Sequence, residues 1–169
     1  MPDGRILAVS AAGLLLVGIA WIQFSRLPSI VEILPEQQGV LVSNSQVIGL
    51  LGPGRHPYDA STQDVYVYST LVQHSYALPE PVLVAGCPSE VNFVWQIEDV
   101  EAWHFSNKNI DTVGPQLAAE VQRLALTSTS FGEDPRTEMQ VFVNKSTREF
   151  FVDGAAIAFV RFGELLCQN

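Results

Sequence analysis

The longest apolar run in the chain lies near its start. The residues Ile6–Phe24 contain no charged side chain, and an α-helix of that length measures about 28 Å, enough to cross the hydrocarbon core of a bilayer. Arg5 and Arg26 flank the run and Trp21 lies near its far end, as snorkelling cations and interfacial aromatic residues do in membrane proteins. The pattern therefore predicts one transmembrane helix.

A cleaved signal peptide is the alternative interpretation of this run. Signal peptides have a shorter apolar region followed by small residues at the cleavage site, whereas this run closes on Trp-Ile-Gln-Phe-Ser-Arg. We expect an uncleaved anchor with a cytoplasmic N-terminus, because the free amino group adds positive charge to the short flank while Glu32 and Glu36 follow the span. The chain then divides into a flank at 1–5, a span at 6–24, a linker at 25–36 and one domain at 37–169.

The first half of the domain has the apolar pattern of β-strands. Short apolar runs at 40–42 and 47–51 flank Ser-Asn-Ser and predict a hairpin, which a Gly-Pro-Gly turn at 52–54 follows. Further strands are predicted at 64–72, which is rich in β-branched and aromatic residues, and at 82–84. The clearest strand is 91–97, where Val91, Phe93, Trp95 and Ile97 form one apolar face at period two.

The second half of the domain changes to a helical period. Apolar residues recur at spacings of three and four from Ile110 to Leu124 and predict an amphipathic helix over about 115–127. Asp134-Pro135 is compatible with the start of a second helix that runs to about Val143, but Val141-Phe142-Val143 is equally compatible with a strand, so this segment stays open. Ala155 to Phe162 predicts a final buried strand after an Asp-Gly turn. The order of strands, helix and closing strand predicts an α+β domain.

Charge and cysteine content limit the classes of function. The net charge is −9, and a chain this acidic would be repelled by the phosphates of nucleic acids, so we expect no nucleic-acid partner. Cys87 and Cys167 are too few and too far apart in sequence for a disulfide framework, and neither belongs to a metal-binding cluster. We interpret them as two buried or idle thiols, because free cysteine behaves as a small core hydrophobe; one long-range disulfide in an oxidising compartment is the alternative.

No arrangement of residues in the sequence points to catalysis. His56, His74 and His104 are far apart and lack the spacing of a metal site, and no serine lies in a nucleophile-elbow motif. We therefore expect no enzyme activity, no catalytic residues, no metal and no cofactor. The triplet at 144–146 satisfies the glycosylation pattern, but such triplets are common by chance. The candidate membrane-interface residues are Arg5, Trp21, Arg26, Trp103 and Phe105.

Four stretches of the chain resemble the SPFH or band-7 superfamily of stomatin, prohibitin, flotillin, HflK and HflC, and the HflC and prohibitin branch in particular. The stretch PEQQGVLVSNSQVIGLLGPGRHPY at 35–58 resembles the opening hairpin of the family. Residues 89–106 are similar to the family strand that ends in an acidic residue and leads into a short aromatic-bearing helix. Arg123 stands where the family has a helical arginine, and 152–165 resembles the closing strand.

This resemblance implies a fold and a function. The implied fold is an N-terminal transmembrane helix followed by a single SPFH-like domain, a mostly antiparallel sheet with packed helices. The implied function is a non-enzymatic membrane scaffold that associates laterally with itself or with longer SPFH relatives and regulates a membrane protease of the FtsH type. The implied location is the bacterial inner membrane, with the bilayer as a partner and the domain in the periplasm.

The chain departs from the family pattern at its end. Family members continue into a long coiled coil, and no heptads follow the closing strand here. We therefore expect association edge to edge, or with a full-length relative, rather than through a coiled coil. The alternative function is a membrane-tethered ligand-binding or envelope-maintenance module that has no link to a protease.

Overall fold

The structure is a computed structural model that describes residues 28–106, 109–127 and 132–167. Its described elements form three antiparallel sheets and three α-helices. The strands are β1 (Ser29–Ile33), β2 (Gln37–Ser43), β3 (Gln46–Leu51), β4 (Gly54–Tyr58), β5 (Gln63–Ser69), β6 (His74–Ala77), β7 (Val82–Val84), β8 (Cys87–Ile97), β9 (Phe151–Val152) and β10 (Ala155–Leu165). The helices are α1 (Val100–Ser106), α2 (Ile110–Thr127) and α3 (Pro135–Ser146), and a 3-10 turn follows at Thr147–Glu149.

A small sheet with the strand order β3-β2-β5 contains the predicted hairpin. Asn44 and Ser45 connect β2 to β3 and both have positive φ values, of 50° and 62°, as a two-residue type I′ turn requires. A separate two-stranded sheet pairs β1 with β4. Strand β1 lies inside the predicted linker at 25–36, and Ile33 from its end packs over Gly39 of β2. The hairpin prediction is confirmed.

The larger sheet has the strand order β6-β8-β10-β9, and β7 also pairs with β8. The predicted alternation in β8 is confirmed, since Val91, Phe93, Trp95 and Ile97 are all buried. Strand β10 lies antiparallel to β8 along most of its length and contributes Val160 and Phe162 to the same core. This pair of strands is the centre of the domain.

The helix α2 covers the core with one apolar face. Val113, Leu117 and Val121 are fully buried, at the spacing that the sequence predicts. The helix starts at Ile110, five residues before the predicted start, because Asn109 caps it: its side chain accepts a hydrogen bond from the Asp111 N–H at 3.0 Å.

The segment that the sequence left open between helix and strand is the helix α3. Asp134 precedes it and accepts a hydrogen bond from the Thr137 N–H at 3.2 Å, and Pro135 occupies the first turn. An aspartate cap followed by proline is a strong start signal for a helix. Met139 and Val143 on its inner face are fully buried.

No helix in the described ranges combines the length and the apolar character needed to cross a bilayer. The longest, α2, has 18 residues and is amphipathic, with Asp111, Glu120 and Arg123 on its polar side. The predicted fold class, which placed a transmembrane helix before the domain, is therefore corrected to a mixed α+β fold rich in sheet, and the single-pass, inner-membrane localisation is not retained. The proposed span at 6–24 lies outside the described residues.

The two cysteines are paired, so the interpretation as idle thiols is wrong. Cys87 at the start of β8 is disulfide-bonded to Cys167, two residues after β10, across a sequence separation of 80 residues and a Cα–Cα distance of 5.1 Å. The bond joins the two central strands at the end where the Leu166 N–H donates to the Pro88 carbonyl at 2.8 Å. Such bonds persist in oxidising compartments.

Removing this disulfide should lower the free energy of unfolding. In the chain-entropy description, a cross-link over a loop of this length contributes up to about 4 kcal/mol. We expect the double variant Cys87→Ser/Cys167→Ser to unfold at lower urea concentration than the oxidised protein, and to match the reduced wild-type chain. Equal unfolding midpoints for the oxidised protein and the double variant would contradict this expectation.

Gly154 and Gly86 offer a matched pair of backbone positions. Both have a φ of +84°, which L-residues adopt at a cost of about 1–2 kcal/mol. A Cβ at Gly86 would meet no atom within 4 Å, whereas a Cβ at Gly154 would collide with the Asp99 carbonyl and with the Trp103 amide. The surroundings of the two glycines therefore differ while their backbone strain is the same.

We expect Gly154→Ala to lower the free energy of unfolding by roughly 3 kcal/mol, as strain and overpacking add. Gly86→Ala should cost only about 1 kcal/mol, from backbone strain alone. Chemical denaturation of both variants measures the difference. Equal losses of unfolding free energy in the two variants would contradict this expectation, since α1 would then move away from a Cβ at position 154 at no cost in stability.

Candidate functional site

A cleft lies between the small sheet and α1. Asp64, Tyr66 and Tyr68 project into it from one face of β5, because alternate residues of a strand share a face. The cleft has a volume of about 580 Å³, within the range of ligand pockets, roughly 300–1,000 Å³. We call it the aromatic cleft; its lining residues are Val42, Ser45, Asp64, Tyr66, Tyr68, Trp103, His104, Phe105 and Asn109.

His104 is at the centre of the aromatic side chains in this cleft. Its Nδ1 lies 2.8 Å from the Tyr68 hydroxyl, and its ring centroid lies 4.7 Å from that of Tyr66. The ring of Phe105 is 6.1 Å away, edge to face. Burial raises the pKa of the Tyr68 phenol, and neighbouring Tyr66 adds to the shift. The phenol is therefore neutral at physiological pH and is hydrogen-bonded to the imidazole.

The candidate membrane-interface residues have different environments. Trp103 is only 7% exposed and its ring packs 6.0 Å from that of Trp95, so it joins the core and leaves little surface for a bilayer. Phe105 is 59% exposed at the rim of the aromatic cleft. Arg5, Trp21 and Arg26 lie outside the described residues.

The three histidines lie apart, on different elements. The His56 Nε2 is 2.7 Å from the Gly52 carbonyl oxygen, and the His74 ring stacks on Trp95 with centroids 4.5 Å apart. Across 28–106, 109–127 and 132–167, no three His, Cys, Asp or Glu side chains are grouped as metal ligands would be. Each histidine has a local structural role.

A second surface, which we call the basic groove, lies between α3 and β10. It has a volume of about 480 Å³ and is lined by Gln140, Val141, Asn144, Lys145, Arg148, Ala158 and Phe159. Lys145 and Arg148 are exposed and supply its positive charge. Val141 is 63% exposed and Phe159 is 46% exposed. The groove thus joins two cations to exposed apolar surface.

Asn144 forms the floor of this groove by bonding to the edge of β10. Its side chain donates to the Val160 carbonyl at 2.8 Å and accepts from the Val160 N–H at 2.7 Å. Gln140, one turn earlier, accepts from the Phe162 N–H at 3.3 Å. The amide side chains of α3 therefore occupy an edge that an unpaired strand would otherwise expose.

The Asn144 amide also donates to the Gln140 carbonyl, so its two hydrogens are engaged and the glycosylation pattern at 144–146 is not free to react in the folded chain.

A third surface, which we call the acidic cleft, lies at the junction of β8, α1 and β9. It has a volume of about 510 Å³ and is lined by Glu98, Asp99, Ala102, Phe151, Asp153 and Gly154. The Asp99 carboxylate accepts a hydrogen bond from the Ala102 N–H at 2.9 Å and so caps α1. Glu98 is exposed, and Phe151 is 51% exposed. This surface combines negative charge with an exposed aromatic ring.

The sequence predicts some of the elements that form these surfaces, but not how they come together. The sequence predicted the strand that carries Asp64, Tyr66 and Tyr68. It did not predict that this strand faces His104, because His104 is 36 residues from Tyr68. The basic groove depends on the helical state of 135–146, which the sequence left open. The signal for that helix was present in Asp134 and Pro135.

The Asn144 amide should be a large contributor to the stability of the larger sheet. In Asn144→Ala, the buried edge of β10 would lose a donor and an acceptor at once, and we expect the free energy of unfolding to fall by about 2 kcal/mol. The neighbouring exposed residue gives the control, since Lys145→Ala should change stability by no more than about 0.5 kcal/mol. Urea denaturation of the two variants tests this, and similar values would show that Val160 finds other partners.

No protein-family model matches this chain, and no curated protein matches it. The predicted links to SPFH, to band 7 and to protease regulation therefore have no family evidence, and the transmembrane assignment is corrected above. The resemblance that the four stretches carry stays a prediction.

Proposed function

We propose that this chain is a non-enzymatic scaffold that associates laterally with copies of itself or with longer relatives, as the resemblance to the SPFH superfamily implies. The observation that carries the proposal is the presence of two complementary surfaces on one domain. The basic groove offers Lys145 and Arg148 beside Phe159, and the acidic cleft offers Glu98 and Asp99 beside Phe151.

Complementary charge beside apolar surface is what a protein interface needs. Opposed charges orient two partners and exclude wrong ones, while the apolar area supplies most of the stabilisation. Phe151 and Phe159 are each about half exposed, and burying such rings against a partner is favourable. The exposed side chains that line the groove of one copy would therefore contact those that line the cleft of the next.

A contact between two different surfaces has consequences for the shape of the assembly. Because each copy uses its groove for one neighbour and its cleft for the other, the contact is heterologous, and repetition gives a ring if the rotation closes or a filament if it does not. Neither surface requires a coiled coil. This form of association agrees with the expectation that assembly proceeds edge to edge.

The pKa shifts resolved in the described residues support a structural rather than a catalytic role. The Ser61 hydroxyl lowers the pKa of Asp59, and the Thr137 side chain and amide lower the pKa of Asp134 at the start of α3. The Arg123 guanidinium lowers the pKa of Glu120 on the same helix. These three shifts follow from a turn, a cap and a helical ion pair, and the raised pKa of Tyr68 follows from burial beside Tyr66. Catalytic sites instead have several shifted groups converging in one cleft.

The order of elements also supports the proposal. After β1, a hairpin of β2 and β3 opens the domain, and β8 later leads into the short helix α1. The long helix α2, the helix α3 and the closing strand β10 follow, and the hairpin, β8, α1, α2 and β10 stand in the order that the resemblance implies. The link to an FtsH-type protease stays a prediction of that resemblance alone. A protease of this type that copurified with the chain would test it.

Charge reversal in the groove tests lateral association. We expect Arg148→Glu in the full chain to weaken self-association about tenfold, because it places a negative charge opposite Glu98 of the next copy. Arg55→Glu, on β4, makes the same charge change away from both surfaces and should leave association unchanged. Light scattering after size-exclusion chromatography measures the assemblies, and equal effects of the two substitutions would overturn the proposal.

Exchanging the charges of Arg148 and Glu98 tests whether these two residues contact each other in the assembly. The double variant Arg148→Glu/Glu98→Lys should recover large assemblies, since the reversed pair is again complementary. Neither single variant should form large assemblies alone, but a mixture of Arg148→Glu and Glu98→Lys should form them with the two variants alternating, because each groove then meets a cleft of opposite charge. Association through residues outside these surfaces would be insensitive to the swap.

A further inference from the structure

The aromatic cleft has the chemistry of a cation site, and this inference does not depend on lateral association. We propose that the cleft binds an organic ammonium ion of the quaternary type, held against the exposed rings of Tyr66 and Phe105 and paired with the Asp64 carboxylate. The rings of aromatic side chains carry negative potential on their faces and attract cations within about 6 Å. Quaternary ammonium groups suit such sites because their methyl groups also pack well against the rings.

The charges that line the cleft favour a cation over an anion. Asp64 is the one acidic residue among the described lining residues, and none of them is a lysine or an arginine. The net charge of −9 for the whole chain favours cations further. His104 contributes a donor or acceptor that the Tyr68 hydroxyl already engages.

The rings are both accessible and held in place. Tyr66 is 45% exposed and Phe105 is 59% exposed, so ring surface remains for a ligand after folding. Tyr66 lies on β5, which is paired with β2 along its whole length, and its ring contacts His104. His104 and Phe105 lie on α1, which Asp99 caps. A preformed site loses less entropy on binding than a flexible one.

The polar character of the lining distinguishes this site from a general apolar pocket. Asp64 and Ser45 lie beside the rings, so an uncharged apolar ligand that covered them would leave these polar groups without compensation. The expected affinity is modest because the cleft is open to solvent and exposed cation–π contacts are weak. We expect a dissociation constant on the order of 1 mM for a small quaternary ammonium ion.

The experiment is a titration of the full chain with choline and with its uncharged carbon isostere, 3,3-dimethylbutan-1-ol. Tryptophan fluorescence reports binding because Trp103 lines the cleft, and NMR shifts of the His104 ring provide a second signal. Choline should bind about tenfold more tightly than the isostere, which has the same shape and lacks the charge. Equal affinities would overturn the proposal, as would no saturation by choline at roughly 20 mM.

Variants locate the site. Tyr66→Leu should weaken choline binding about fivefold while Tyr66→Phe retains it, because the phenyl ring keeps its negative face. Asp64→Asn should weaken binding severalfold, and Glu80→Gln, which removes an exposed carboxylate outside the lining, should not. If Tyr66→Leu fails to fold, the choline affinities of Asp64→Asn and Glu80→Gln are compared instead, and they test whether the ion binds in the cleft. Unchanged choline affinity in Asp64→Asn would show that the ion binds elsewhere.

Discussion

The antiparallel pairing of β8 with β10 is the interaction on which the other elements of the larger unit depend. Strands β6 and β7 pair with β8, and β9 pairs with β10. The two central strands supply Phe93, Trp95 and Phe162 to the core, and the disulfide between Cys87 and Cys167 closes the pair at one end. Without this pair, α2 and α3 would have no apolar surface to cover.

The other end of the same pair places the helix that forms the aromatic cleft. The Gly154 carbonyl, in the turn before β10, accepts hydrogen bonds from the amides of Glu98 and Asp99 at 2.9 and 3.0 Å. Asp99 then caps α1, and the Trp103 ring packs against Trp95. The left-handed backbone of Gly154 therefore fixes both the acidic cleft and the direction in which α1 carries His104 towards the small sheet.

The sequence predicted the elements whose signal is local and strong. The alternation along β8 and the helical spacing along α2 require only one buried face each, and both appear in the structure. Strands β1 and β4 carry no such pattern, because their sheet has only two strands and buries few side chains. The sequence did not predict the disulfide between Cys87 and Cys167, because two residues that are 80 positions apart in sequence can still lie on neighbouring strands. The cleft partners Tyr68 and His104 needed the same tertiary information.

The way in which α3 covers the edge of β10 also explains where the domain can associate. A free edge would offer backbone groups to any strand and so favour unspecific pairing. Asn144 and Gln140 occupy that edge with their amides, which leaves side chains rather than backbone as the accessible surface of the groove. Recognition there then depends on Lys145, Arg148 and the apolar residues beside them, and a partner must match both charge and shape. An edge closed in this manner limits aggregation while it leaves a specific contact open.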